Sequence, residues 1–264
     1  MKNMHDLHLH SHLSRCAEAN ATIENYIEAA TTYGIGTIGI ADHVWDPAIE
    51  GARPWYQKQP ITHVLQIKDE IANTDTKGIK VLFGCEAEYS YEHRCVAMTE
   101  EGASVFDFIL APNSHTQIHM PQEFYEPHQK HADYMLMAFM DIVTGKLSKY
   151  ITAVPHPFRA VGCPYDNRIL MAMITDKQYE ECFMAAAENE VALEINPFRY
   201  LNMSSEETRN DETIRLYQIA KKCGCKFTLG TDAHQKITYD YYPKTDEVFE
   251  IIGITEDDFP DFLK

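Results

Sequence analysis

Residues 36–43, GTIGIADH, form an apolar segment that ends abruptly in polar residues. The apolar part, Thr37–Ala41, has the length of one strand, and Gly36 and Asp42 bound it. A short apolar run between such boundaries is typical of a strand that is buried on both faces of a parallel sheet.

The same pattern predicts six further strands along the chain: Met4–Leu9, Lys80–Cys85, Phe106–Pro112, Ile151–Val154, Val191–Ile195 and Lys226–Gly230. Helices are predicted between them: one capped by Thr22 and ended by Gly34, then Ile61–Thr74, His128–Lys149, Asp176–Asn189, Glu206–Lys222 and a last one after Tyr241. Strands that alternate with helices indicate parallel βαβ units. With no linker-like stretch, residues 1–264 are expected to form one barrel-like α/β domain, with a doubly wound open sheet as the alternative.

Composition narrows the class of protein. The 264 residues are 45% hydrophobic and carry a formal net charge of -17, which argues against a protein that grips long nucleic acid. No apolar run reaches the ~18 residues of a membrane span, and no signal peptide is recognisable. The odd count of seven cysteines without framework spacing indicates reduced thiols. A cytoplasmic protein is therefore expected, with no membrane partner and an oligomeric state that the sequence leaves open.

Each predicted strand ends in residues that can bind a metal ion. In chain order these are His8 and His10, Asp42 and His43, Glu86, Asn113 with Ser114 and His115, His156, Glu194 with Asn196, and Asp232 with His234. The carboxyl ends of parallel strands share one face of a barrel, so these side chains are expected to converge there. Alternate residues of a strand point the same way, which pairs His8 with His10 and Asp232 with His234.

The ligand atoms are mostly nitrogen and oxygen, which suits zinc, manganese or iron. Several carboxylates among the histidines favour a site with more than one ion, and two ions ~3.5–4 Å apart can generate a hydroxide at neutral pH. His43 is the expected ligand of its pair, with Asp42 as a supporting carboxylate or turn residue. Glu88 shares a strand face with Glu86 and competes with it for the same role.

The remaining histidines are expected to be ordinary. His63, His93, His128 and His131 are predicted to be solvated. His5 and His12 flank the first pair and are predicted to lie at the surface, with a supporting role behind the ligands as the alternative. His119 lies four residues after His115, and two histidines at this spacing can bind zinc when they lie on a helix. Pro112 and Pro121 argue against a helix there.

The strand-exit motifs resemble those of the PHP (polymerase and histidinol phosphatase) family. The matching motifs are DLHLHSH at 6–12, GIADH at 39–43, GCEAE at 84–88, NSH at 113–115, PHP at 155–157, LEIN at 193–196 and GTDAH at 230–234. The resemblance covers nearly the whole chain and implies a distorted (β/α)7 TIM-like barrel.

The resemblance also implies two or three divalent transition-metal ions. One ion would be bound by His8, His10, Glu86 and Asp232, and Glu86 would bridge to a second ion bound by His115 and His156. His43 and His234 would bind a third. In many relatives the loop after the first strand adds a ligand to that third site. Here Cys16 or Glu18 could take its place, or the third ion could bind weakly, and a plain structural thiol is the alternative role for Cys16.

The expected activity is metal-dependent hydrolysis of a small phosphomonoester by a metal-activated hydroxide, as in histidinol phosphatases. Asp232, His43 and His234 are the expected catalytic residues, with one of the imidazoles passing a proton to the leaving group. Arg159 and Arg199 follow two strand exits and could bind the phosphate. The alternatives are a phosphodiesterase or exonuclease on short nucleotides, an amidohydrolase, and a metal-binding domain without catalysis.

Overall fold

A seven-stranded parallel sheet forms the centre of the computed structural model, which describes residues 4–240 and 242–264. Its strands follow one another in chain order: β1 His5–Leu9, β2 Thr37–Val44, β3 Lys80–Ala87, β6 Phe108–Leu110, β7 Ala153–Val154, β8 Ala192–Ile195 and β9 Phe227–Leu229. A two-stranded antiparallel hairpin, β4 Tyr89–Ser90 and β5 Cys95–Val96, lies outside this sheet.

The sheet curls until its first and last strands meet. Leu9 forms a parallel bridge with Ala233, and the backbone N–H of His10 donates to the carbonyl of Ala233 at 2.9 Å. The N–H of Asp232 donates to the carbonyl of His8 at 2.8 Å. A doubly wound sheet would place β1 in the middle, so the expected seven-stranded barrel is confirmed and the open-sheet alternative is wrong.

Helices surround the barrel: α1 Ile23–Tyr33, α2 Ile61–Asn73, α3 Glu100–Ala103, α4 Thr116–His119, α5 His128–Thr144, α6 Asn167–Met173, α7 Asp176–Glu188, α8 Ser205–Arg209, α9 Glu212–Lys222 and α10 Tyr242–Ile252. Short 3-10 turns cover Tyr56–Lys58, Gln122–Phe124, Ser148–Tyr150, Pro197–Tyr200, Glu256–Asp258 and Asp261–Leu263. In the described parts of the chain, no helix is long and apolar enough to cross a membrane.

Local capping explains where the helices begin and end. The Thr22 side chain accepts from the N–H of Asn25, and Gly34 ends α1 in the left-handed conformation at φ 74°, both as predicted. The predicted helix 206–222 is in fact two helices, because the Asp211 side chain caps α9 by accepting from the N–H of Thr213.

Other predicted boundaries were wrong. The helix predicted to reach Lys149 ends at Thr144, before Gly145. The four-residue helix α4 forms between Pro112 and Pro121, because neither proline lies inside it. The elements that had not been predicted include α3, α6 and the β4–β5 hairpin.

The barrel interior is filled by apolar side chains below the strand exits. The cluster consists of Leu7, Ala41, Phe108, Leu110, Ala153, Ala192 and Leu263. The Phe108 ring lies against two neighbouring strands where Gly39 and Gly84 have no side chain: a Cβ at Gly39 would meet the ring at 2.6 Å, and one at Gly84 would overlap it. His43 and Glu86 lie further along the same two strands and are paired across them, so this packing supports the mouth of the barrel.

Replacing Gly84 with alanine tests this packing. The added methyl group would overlap the Phe108 ring, and we expect Gly84→Ala to reduce the free energy of unfolding by ~1–3 kcal/mol. Gly36→Ala is the matched control, because a Cβ there meets nothing within 4 Å and its φ is not in the left-handed region. Urea unfolding measures both variants, and equal midpoints would contradict the predicted role of Gly84.

Candidate metal centre

The side chain of Glu86 lies at the centre of five imidazoles at the mouth of the barrel. Its Oε2 is 3.0 Å from His43 Nδ1, 3.6 Å from His8 Nε2 and 3.7 Å from His10 Nε2. Its Oε1 is 3.2 Å from His156 Nε2 and 3.5 Å from His115 Nε2. Glu86 itself is 0% exposed. Glu86 and five other predicted ligands, six of the predicted eight, thus lie together.

The other two predicted ligands complete the group on the side of β9. Asp232 Oδ1 lies 3.1 Å from His10 Nε2 and 3.5 Å from His8 Nε2. The ring of His234 stacks on that of His10 at a centroid distance of 4.2 Å, and its Nδ1 lies 2.8 Å from the Asp232 carbonyl oxygen. Asp232 has a φ of 58° and His156 a φ of 31°, values that side-chain-bearing residues rarely adopt and that cluster at functional sites.

Glu88 lies in the same group. Its carboxylate is 3.1 Å from His43 Nδ1 and 2.9 Å from His115 Nδ1, and the residue is 0% exposed. Glu88 is predicted as a rival of Glu86, but the structure places both side chains at the site. The signal was already present in the sequence, because residues two apart at the end of a strand share a face.

A fourth carboxylate, Glu194, contacts the ring nitrogen of His8 that does not face Glu86. Glu194 Oε2 lies 2.6 Å from His8 Nδ1, and Glu194 Oε1 accepts from the N–H of His156 at 3.3 Å. Gly230 leaves room for it, since a Cβ there would overlap the Glu194 carboxylate. Ser114 plays a similar part, with its Oγ 2.6 Å from His156 Nδ1. Contacts of this kind fix which ring nitrogen of a histidine faces a metal.

Mutual charge sets the protonation of the buried groups. Burial disfavours the charged form of Glu86, but the neighbouring imidazoles of His115, His43 and His8 outweigh burial and hold the Glu86 pKa well below its usual range. Burial lowers the pKa of His10 to about 3. Burial also lowers the pKa of His8, yet the carboxylates of Glu194, Asp232 and Glu86 together raise it well above its ordinary value. The site is therefore rich in ionised carboxylates that require positive charge.

The donor atoms fit divalent metal ions. His8 Nε2 and Glu86 Oε2 are buried atoms without a hydrogen bond, although both face the centre of the group. In each of four sets of side chains, the potential ligand atoms lie within 4.8 Å of one another: His8, His10 and Asp232; His8, Glu86 and His156; His43, Glu86, Glu88 and His115; and His10, Cys16, His43 and His234. Nitrogen and oxygen donors with one sulfur suit zinc and related transition metals.

The remaining histidines and Asp42 lie outside these sets. The Asp42 carboxylate accepts from the N–H of Ser11 at 2.6 Å and from its hydroxyl at 2.5 Å, which fits a supporting role. The predicted surface positions of two histidines were wrong. His5 is buried and its Nε2 accepts from the N–H of Leu229, while His131 is buried within α5.

His119 is not part of any of the sets. It lies on α4 and its ring contacts the rings of Trp45 and Tyr56 at centroid distances of 4.9 and 5.3 Å. His12 and His93 are exposed as predicted, and His63 and His128 are partly exposed.

Arg159 and Arg199, the two arginines predicted to bind phosphate, differ in their contacts. Arg199 forms a two-pronged contact with Asp211, with distances of 3.1 Å from Nε and 2.8 Å from Nη2, so its guanidinium is already occupied. Arg159 is half-buried, and in the described chain no hydrogen bond or ion pair engages its guanidinium. Burial and the nearby charge of Arg199 lower the Arg159 pKa, whereas Asp232 acts in the opposite direction. Arg159 is thus the better placed of the two to meet an anion.

A cavity of about 580 Å³ opens beside these groups. It is lined by Cys16, Glu18, Phe198 and residues 231–238. A volume of this size accommodates a small molecule.

Comparisons with known proteins agree with this architecture. The PHP domain model matches residues 6–198. A probable phosphatase of Thermoanaerobacter sp. (strain X514) and another of Thermoanaerobacter pseudethanolicus are each 23% identical over 252 residues, which cover 95% of this chain and 88% of the relative. The crystal structure of histidinol phosphate phosphatase from Lactococcus lactis, complexed with zinc, L-histidinol and phosphate, is similar with a TM-score of 0.69 and 21% identity, covering 96% of this chain and 95% of that one. The chain belongs to the PHP domain family.

Proposed function

We propose that this chain, a metal-dependent phosphoric ester hydrolase, cleaves a small phosphomonoester at the mouth of the barrel. The observation that carries the proposal is the buried Glu86 carboxylate, surrounded by five imidazoles and facing the orphaned His8 Nε2. Residues 1–264 would act as one catalytic unit. The seven cysteines are all free in the structure, which supports a reducing, cytoplasmic setting.

The proposed ligands are assigned to ions as the family resemblance implies, and the distances of Glu86 from His8, His10, His115 and His156 support this assignment. His8, His10, Glu86 and Asp232 would hold one ion, and Glu86 would reach a second ion held by His115 and His156, where Glu88 is close enough to contribute. His43 and His234 would hold a third. When bound, zinc, manganese or iron would polarise the phosphoryl group and lower the pKa of water.

The protein side chains would bind the phosphate and steer protons. Arg159 would pair with a phosphoryl oxygen, since its guanidinium is half-buried and lies near Asp232. Arg199 would act indirectly, because Asp211 holds it where its charge lies beside Arg159. His43 or His234, when not engaged by a cation, would pass a proton to the leaving group; His234 has the more exposed side chain, 32% against 9%.

Size and charge favour a small substrate. The cavity of about 580 Å³ fits a metabolite, and a net charge of -17 repels long polyanions. The structural relative from Lactococcus lactis was solved with L-histidinol and phosphate, which makes histidinol phosphate one candidate.

Removal of metal should abolish hydrolysis. We expect purified protein to hydrolyse p-nitrophenyl phosphate, to lose this activity with a strong chelator, and to regain it on addition of zinc, manganese or iron. The bis ester serves as the comparison substrate and should react more slowly. Full turnover by protein shown to be metal-free would refute the proposal, and faster cleavage of the bis ester would favour a phosphodiesterase.

Arg159→Ala should weaken substrate binding. Loss of a charge-assisted hydrogen bond costs ~1.5–3 kcal/mol, so we expect the KM for p-nitrophenyl phosphate to rise by roughly 10- to 100-fold. Arg168→Ala is the matched control, because Arg168 is an exposed arginine paired with Asp166. An Arg159→Ala enzyme with the KM of the control would remove Arg159 from the site.

Glu194→Gln should weaken metal binding without touching a proposed ligand. The substitution keeps the side-chain volume but removes the charge that holds His8 Nδ1, and changes of this kind cost roughly 10- to 100-fold in metal affinity. Competition with a chromogenic chelator measures the zinc affinity. Glu188→Gln, an exposed residue at the end of α7, is the control. Equal affinities in the two variants would show that Glu194 does not orient a ligand.

A further inference from the structure

The loop after β1 places a thiol among three imidazoles. The sulfur of Cys16 and one ring nitrogen each of His10, His43 and His234 all lie within 4.8 Å of one another. Cys16 and Glu18, the two candidate ligands in this loop, are both exposed residues, but the Oε2 of Glu18 accepts from the side chain of Asn20 at 3.3 Å. Glu18 belongs to none of the four sets of potential ligands in the described chain.

Several hydrogen bonds fix the position of this loop. At its start, the N–H and hydroxyl of Ser11 donate to the Asp42 carboxylate. Further on, the N–H of Glu18 donates to the carbonyl of His234 at 2.7 Å, which ties the cysteine loop to the loop after β9. Between these points, Ser14 Oγ lies 3.3 Å from Cys16 Sγ and 3.4 Å from His10 Nδ1. The thiol is therefore held next to the imidazoles from both sides.

The donor set differs in kind from its neighbours. The three other sets contain only imidazole and carboxylate groups, whereas this one contains no carboxylate and one sulfur. Soft thiolate ligands select zinc over manganese and magnesium, which prefer carboxylate oxygen. Within this set, only Cys16 and His234 belong to no other set, whereas His10 is shared with His8 and Asp232, and His43 with Glu86, Glu88 and His115. Because the proposed function assigns His10 to the first ion and His43 to the third, Cys16, His43 and His234 are the donors for a separate ion. Three protein ligands leave one coordination position open on zinc.

We propose that Cys16 binds a cation as a thiolate together with His43 and His234, and that this sulfur makes the third position selective for zinc over manganese. The inference rests on the proposed function in one respect, namely that the mouth of the barrel binds metal ions. It adds that one of these positions has a sulfur ligand and a metal preference of its own.

Cobalt substitution tests the sulfur ligand directly. Metal-free protein is reconstituted with Co²⁺, and we expect a sulfur-to-cobalt charge-transfer band that nitrogen and oxygen ligands do not give. Cys16→Ser should remove this band and should bind one zinc ion fewer per chain by elemental analysis. Cys16→Asp should retain the ion without the band and should bind manganese more tightly than the unmodified protein does, because it offers oxygen in place of sulfur. Cys223→Ser, a thiol near the carbonyl of Glu180, is the matched control and should behave like the unmodified protein.

The outcomes separate this inference from the proposed function. Absence of the band in the unmodified protein, or an unchanged zinc count in Cys16→Ser, would overturn the inference. Hydrolysis of p-nitrophenyl phosphate is measured on the same unmodified sample. Turnover without the band refutes only the thiolate ligand, and the band without turnover on any phosphate ester refutes only the phosphatase proposal.

Discussion

The structure depends on a buried negative charge that cannot exist alone. Glu86 is fully enclosed, and an ionised carboxylate in such a place is very costly unless positive charge or hydrogen bonds compensate for it. The compensation comes from the rings of five histidines that lie at or shortly after the ends of four strands, β1, β2, β6 and β7. Divalent ions would compensate the charge further, and they would also engage the His8 Nε2 and Glu86 Oε2 atoms that now have no hydrogen bond.

The barrel makes this arrangement possible because the lower half of its interior is apolar and the upper half is polar. The lower interior is apolar and closely filled, with the Phe108 ring lying where Gly39 and Gly84 offer space. The upper interior consists of imidazoles and carboxylates that rise from the same strands. Behind them Glu194 and Ser114 hold two of the rings, and the absence of a side chain at Gly230 is what lets Glu194 reach His8.

Much of this could be predicted from the sequence, because apolar strands followed by polar residues are a local pattern. That pattern gave the seven strands of the sheet and the eight proposed ligands, all of which the fold brings together. The residues that contact those ligands could not be predicted from the sequence, because contacts such as that of Glu194 with His8 depend on how strands far apart in the chain are placed. Likewise, nothing local showed that Asp211 would engage Arg199, or that His5 would be buried by bonding to Leu229. The division of the helix at Asp211 was missed because an aspartate within a polar segment caps a helix only when the chain bends there.

The meeting of β1 with the segment after β9 has a consequence for how the protein is made. His10 and Asp232 are 222 positions apart, so the ribosome must synthesise almost the whole described chain before these two side chains can meet. Until then, His8 and His10 lack the carboxylate of Asp232, and closing so long a loop is intrinsically slow. Intermediates with unpaired strand edges are prone to aggregate. The pairing that closes the barrel between its first and last strands is therefore the folding step at which chaperones and metal supply would have most influence.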